Sequence, residues 1–211
     1  MERVNRGQGI PFTPSGNAWV RRGTLIAALV LPASGVPAVV SGQGPPAVQI
    51  TFLDVGQGDA IVVRSPEGRT ALVDAGPAAP LRFLQQMGID SLDLLVASHP
   101  HADHVGGMVD VLTARPVDRY LDNGVPAATG PYARVVTTLE LIDGVTMLEP
   151  APDTLELGSV SVEVLPLPPA PDEPGHRSVG VVVSFGDLSA LLPGDAERAP
   201  LDFWTRRGGV R

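Results

Sequence analysis

At 211 residues the chain has room for one sizeable domain and a leader. It contains no cysteine, which excludes disulfides and thiolate ligands, so any metal must be held by histidine and carboxylate. All fifteen basic residues are arginine and the net charge is −8, a balance that argues against broad, non-specific binding of DNA backbone, which relies on cationic surface.

Residues 1–22 are polar and carry Arg3, Arg6, Arg21 and Arg22, and residues 23–53 are free of charge. The core of that run, residues 24–31, is apolar and helical in character, and Pro32 and Pro37 interrupt its continuation. A basic stretch, a short apolar stretch and small residues read as an export signal, and Arg21-Arg22 makes it a twin-arginine candidate. An uncleaved membrane anchor through residues 24–40 is the second reading, because the prolines leave the run marginal for a hydrocarbon core of about 30 Å. Both readings place the domain outside the cytoplasm, secreted, periplasmic or membrane-anchored. Residues 1–46 are therefore signal or anchor plus a Gly-Pro linker, and residues 47–211 the folded domain.

Within that domain, residues 48–53, 60–64 and 70–73 are β-rich and separated by turn chemistry at Gly56-Gln57-Gly58 and Pro66-Glu67-Gly68, which predicts an antiparallel meander. Asp54, Asp59 and Asp74 fall at or near strand ends, where loops carry function and where carboxylates also simply cap turns. A helix is expected over 80–87 and a buried strand over 92–97.

Three of the four histidines then fall within six positions, at His99, His101 and His104. Imidazoles and carboxylates hold zinc, iron or manganese. His99 and His101, two apart beyond a strand end, can converge on one ion, while Asp103 and His104 open a helix predicted over 105–112 and point to a second position. Gly106 and Gly107 let that helix start approach its surroundings closely. The alternative is a histidine-rich turn with Asp103 as a helix cap.

Downstream, a strand is expected over 117–121, ending in the turn Asp122-Asn123-Gly124, and a helix over 132–141. Strands over 145–149, 154–157 and 160–165 begin a second sheet, and a loop with five prolines comes next over 165–175. His176-Arg177-Ser178 leads into strands over 179–185 and 188–192. Asp195 closes the last of these, and a helix is predicted over 196–205 for which it is a candidate cap.

The pattern His-x-His-x-Asp-His resembles the signature of the metallo-β-lactamase superfamily. Together with Phe52-Leu53-Asp54-Val55-Gly56-Gln57-Gly58-Asp59-Ala60 and Leu192-Pro193-Gly194-Asp195-Ala196-Glu197, it is similar to the hydrolase domain of the ComEC/Rec2 competence proteins. The resemblance implies an α/β fold, the metallo-β-lactamase αβ/βα sandwich, with its second half incomplete. It implies two divalent ions, zinc or manganese, with His99, His101, Asp103, His104 and Asp195 as ligands and Asp195 bridging the two. His176 is a candidate further ligand, although close relatives carry asparagine there. The loop of Asp54, Gln57 and Asp59 would border the cleft, and Asp74 would accept imidazole N–H groups. The family's later His-His-Gly-Ser-type segment has no counterpart after His176, so a C-terminal truncation and an under-coordinated second ion are expected.

The implied chemistry is hydrolysis by a metal-bound hydroxide, with Asp103 as the catalytic carboxylate that orients it and takes its proton. The implied substrate is a phosphodiester, such as DNA during uptake. The rival is a small ester, lactone or β-lactam, since one metal core serves both chemistries. A third reading is an inactive metal-binding fragment.

Overall fold

The computed structural model describes residues 46–125, 127–168 and 177–206. The predicted export or anchor segment and His176 lie outside the described residues. Among the described residues, no helix is long and apolar enough to cross a membrane.

Among the described residues ten strands form two sheets. In the first, β1 (Gln49–Phe52), β2 (Ile61–Arg64) and β3 (Thr70–Val73) make the expected antiparallel meander. From β3 onward the pairing is parallel, through β4 (Leu94–Val96), β5 (Arg119–Leu121) and β6 (Thr146–Leu148). The second sheet is antiparallel in the order β10-β9-β8-β7, built from β7 (Asp153–Leu157), β8 (Val160–Val164), β9 (Val181–Phe185) and β10 (Leu188–Leu192). Its four strands face the six of the first sheet.

Period-two alternation explains the layers. Ile61, Val63, Ala71, Val73, Leu94 and Val96 point from the first sheet onto Leu157, Val162, Val181, Val183 and Leu192 of the second. Val62, Leu72, Leu95 and Tyr120 point the other way, onto helices α1 (Leu81–Gln86), α3 (Met108–Ala114) and α4 (Gly130–Leu141). Strands covered on both faces read as unbroken apolar runs, as β4 does. The outer face of the second sheet is covered by α5 (Arg198–Arg206), through Leu165, Val182, Leu191 and Trp204. The result is a helix-sheet-sheet-helix sandwich, the expected αβ/βα order.

Three details differ from the sequence reading. The strand predicted over 145–149 belongs to the first sheet, pairing parallel with β5. It is a short, mostly exposed edge strand, and its partner lies beyond α4, so nothing local marks its sheet. The helix predicted over 105–112 is two helices, α2 (Ala102–Val105) and α3, broken at Gly106-Gly107. A Cβ on Gly106 would lie 2.4 Å from the Ala102 and Pro77 carbonyls, and one on Gly107 2.5 Å from that of Ala75, so backbone meets backbone at the break. Finally, α5 starts three residues beyond Asp195, which leaves that carboxylate free of a capping role.

Docking of α5 depends on one glycine. The Trp204 indole is 1% exposed and donates Nε1–H to the Pro166 carbonyl at 2.8 Å. A Cβ on Gly180 would lie 2.6 Å from its ring. Gly180→Ala is therefore expected to destabilise the protein by about 1–3 kcal/mol through overpacking, read as a lower denaturant midpoint. An unchanged midpoint would show that the helix moves aside at no cost.

Candidate metal centre

Register aligns the C-terminal ends of three parallel strands, Val73 opposite Val96 and Val96 opposite Leu121. The loops leaving those ends carry Asp74, the Ser98 to His104 stretch and Asp122, and such an edge is the usual position of sites in parallel sheets. The second sheet reaches the same place: the Val179 amide donates to the Ser98 carbonyl at 2.8 Å, and β10 runs into Gly194-Asp195. Gly194 has φ +57, and a Cβ there would lie 2.7 Å from the Ser98 side chain. Only glycine allows the Asp195 loop to close this tightly onto the histidine loop.

Two clusters result among the described residues. In the first, His99 Nε2 lies 3.0 Å from His101 Nδ1 and 3.7 Å from Asp195 Oδ2, and His99, His101 and Asp195 each offer a donor to one point. In the second, donors of Asp59, Asp74 and His104 lie within 4.8 Å of one another. Asp195 joins the two, because its other oxygen, Oδ1, is 3.3 Å from His104 Nε2. The rings of His99 and His104 are stacked at a tilt with centroids 4.1 Å apart.

Asp74 organises the centre without facing solvent. It is fully buried and is the only non-glycine residue with positive φ among those described, at +60°. Oδ1 accepts the Ser98 amide at 2.7 Å, and Oδ2 accepts the Ser98 hydroxyl at 2.6 Å and faces His104 Nδ1 at 2.8 Å. With Nδ1–H given to Asp74, His104 turns Nε2 toward Asp195, the nitrogen through which it would bind a cation.

The other predicted residues are distributed unevenly. Asp103 is half-buried and belongs to neither cluster; its Oδ2 accepts from Gln57 Nε2 at 3.2 Å. Asp59, read as a cleft residue, stands in the second cluster instead. Asp54 is exposed and joins neither. Two polar residues support the loops around the centre: Asn123, 1% exposed, donates from Nδ2 to the Arg177 carbonyl at 2.6 Å, and Thr129 donates to the Pro100 carbonyl at 3.0 Å. Asn123 belongs to the polar turn that follows β5, whereas Thr129 stands just before α4 with no sequence sign of its role.

The protonation equilibria reflect this crowding. Burial, with His104 alongside, lowers the His99 pKa to about 4, which favours a neutral imidazole. Burial alone would also lower His104, but the Asp195 and Asp74 carboxylates overcome it and push it up to about 10. Its hydrogen bond to His104 holds Asp195 below the usual carboxylate range. Burial and the neighbouring Asp74 charge raise Asp59. Without an ion, a proton on His104 is the positive charge that these carboxylates share.

The donor set fits divalent cations. Nitrogen and carboxylate donors at bonds of 2.0–2.1 Å around a tetrahedral ion lie roughly 3.3 Å apart, and the spacings of 3.0, 3.7 and 3.3 Å straddle that value. His99, His101 and Asp195 would hold one ion. His104 and Asp195, with Asp103 close by, would hold the other.

Residues 53–210 match the family model described as the metallo-beta-lactamase superfamily. Among curated proteins, a hydroxyacylglutathione hydrolase of Cupriavidus taiwanensis is 36% identical over 131 residues, covering 59% of this chain and 44% of that protein. ComE operon protein 3 of Bacillus subtilis is 27% identical over 175 residues, covering 71% of this chain and 22% of that protein. The chain thus spans less than half the length of either relative. A solved structure, of a possible metal-dependent hydrolase from Veillonella parvula, aligns with a TM-score of 0.47 at 13% identity, over 77% of this chain and 68% of that one.

Proposed function

The chain belongs to the metallo-beta-lactamase superfamily, and from that premise we propose that it is a metal-dependent hydrolase acting on phosphodiesters through a two-cation centre. The observation that carries the reading is Asp195, whose two oxygens face His99 and His104 separately. That arrangement sets two cation positions side by side, the geometry suited to in-line displacement at phosphorus. When bound, the ions supply Lewis acidity and make a water acidic enough to act near neutral pH.

The chain's own residues do the rest. Asp74 and Ser98 fix the tautomer and aim of His104 and His99. Asp103, on the exposed side of the centre and positioned by Gln57, is placed to orient the attacking water and take its proton. The carboxylates of Asp54, Asp59, Asp103 and Asp195 would repel a free polyanion, so substrate phosphate would bind through the ions rather than through protein cations.

The similarity to ComE operon protein 3 over 71% of the chain agrees with the resemblance to the competence-protein hydrolase domain, which implies a phosphodiester such as DNA as substrate. The similarity to hydroxyacylglutathione hydrolases supports a second, thioester or ester hydrolysis at the same centre. An exported or anchored position outside the cytoplasm belongs to the first reading.

The test is elemental analysis of the purified chain, paired with hydrolysis of bis(p-nitrophenyl) phosphate and of an S-acylglutathione in added Mn²⁺ or Zn²⁺. About two equivalents of metal and phosphodiester turnover, lost in His101→Ala, are the expected results. Turnover of the thioester alone would establish the second reading. Metal-free protein without turnover of either substrate would overturn both.

A further inference from the structure

We propose that Asp59 is a carboxylate ligand of the cation held at His104, a role that rests on the two-cation reading and extends it to a residue outside the histidine stretch. The loop between β1 and β2 holds Asp59 in place from three sides. The Leu53 amide donates to the Ala60 carbonyl at 2.9 Å, closing the loop, and the Gly76 amide donates to the Asp59 carbonyl at 2.8 Å. Gly58, at φ +84, is pressed so closely on α2 that a Cβ would stand 1.8 Å from the Asp103 carbonyl oxygen. Gln57 adds its hydrogen bond to the Asp103 carboxylate. The loop is thereby fitted to the turn that carries Asp103 and His104.

Asp59, Asp74 and His104 bring their donor atoms within 4.8 Å of each other, but they are not equally able to bind a cation. Asp74 is fully buried and its oxygens are already taken by the Ser98 amide, the Ser98 hydroxyl and His104. Asp59 is half-buried, and among the described residues no hydrogen bond holds its carboxylate. A carboxylate partly removed from water and set among Asp74, Asp103 and Asp195 is costly unless a cation neutralises it.

The coordination count points the same way. The first cluster supplies His99, His101 and Asp195, whereas His104 and the shared Asp195 leave the second cation dependent on Asp103, one of whose oxygens is engaged by Gln57. Asp59 supplies the further donor from a rigid position.

The experiment is calorimetric titration of the chelated full-length chain with Mn²⁺, alongside elemental analysis, for wild type and Asp59→Asn. The expected result is two binding events in wild type, and in Asp59→Asn one retained event with the other weakened at least about tenfold. Two events of wild-type affinity in Asp59→Asn would overturn the role of Asp59 while leaving the two-cation reading intact. Fewer than two events in wild type would overturn that reading itself, and this role with it. Matching denaturation midpoints of the chelated proteins would separate loss of a ligand from loss of the loop. Should Asp59→Asn fail to fold, Asp59→Glu keeps the charge and displaces the oxygens by one methylene. It is expected to weaken the same event, and wild-type affinity there would again overturn the role.

Discussion

Asp195→Ala is expected to lower turnover by about 10³-fold and to reduce metal content at both positions, while leaving the folded chain almost as stable as before. The size of the loss reflects the two positions that the residue joins. A cation contributes several kcal/mol to stabilising charge in a hydrolytic transition state, and at 1.36 kcal/mol per tenfold, losing about 4 kcal/mol slows the step about 10³-fold. Asp195 faces His99 with one oxygen and His104 with the other, so its removal touches both ions, unlike substitution of a histidine in one cluster. Stability should hardly respond, because the side chain is 57% exposed and caps no helix. Water screens a pair with one partner this exposed, and the buried His104 keeps Asp74 as an acceptor, so the loss should be about 0–1 kcal/mol. The measurements are kcat on a chromogenic phosphodiester, metal equivalents by elemental analysis, and the denaturant midpoint of the chelated protein. Retention of full turnover would remove Asp195 from the centre, and a large drop in the chelated midpoint would make it a structural residue instead.

The fold was legible where local pattern and burial coincide. Ile61-Val62-Val63 and Leu94-Leu95-Val96 lie in strands covered on both faces, and their unbroken apolar character announces it. The parallel run from β3 to β6 was harder to read. Val145 to Glu149 looks like any short strand, and only a crossover through α4 decides that β6 lies beside β5 rather than β7. The break between α2 and α3 was invisible for a related reason. Periodicity from Val105 to Leu112 is helical, whereas the interruption comes from the backbone of residues 75–79, distant in sequence, meeting Gly106 and Gly107.

The histidine stretch was legible because His99, His101 and His104 are few and close. The partners contributed by other loops were less so. Asp59 and Asp54 look alike in sequence, both aspartates flanking a Gly-Gln-Gly turn, yet the hydrogen bond to Gly76 and the contact of Gly58 with Asp103 turn only Asp59 toward His104. Asp103 shows the converse. Its position in the signature suggests a ligand, and the structure engages one of its oxygens with Gln57.

Asp74→Ala is expected to damage both fold and metal binding, which sets it apart from Asp195→Ala. Alanine at φ +60 carries a left-handed penalty of about 1–2 kcal/mol. Its missing carboxylate would leave the Ser98 amide and the His104 Nδ1–H buried without acceptors, at about 1–3 kcal/mol each. The Ser98 hydroxyl loses less, because His99 Nδ1 stands 3.0 Å away as another partner. Relaxation of the loop will absorb part of this sum, so a stability loss of about 3–5 kcal/mol is expected for the chelated chain. Metal affinity should fall about 10–100-fold, the usual consequence of removing an acceptor behind a ligating histidine. Asp74→Gly separates the causes: it removes the left-handed penalty but not the orphaned donors, so it should recover about 1 kcal/mol of stability and none of the affinity. Equal stability of the Gly and Ala variants would show that backbone strain at position 74 is negligible. Wild-type metal affinity in both would mean that His104 is aimed by packing alone, and that the buried carboxylate serves the fold rather than the centre.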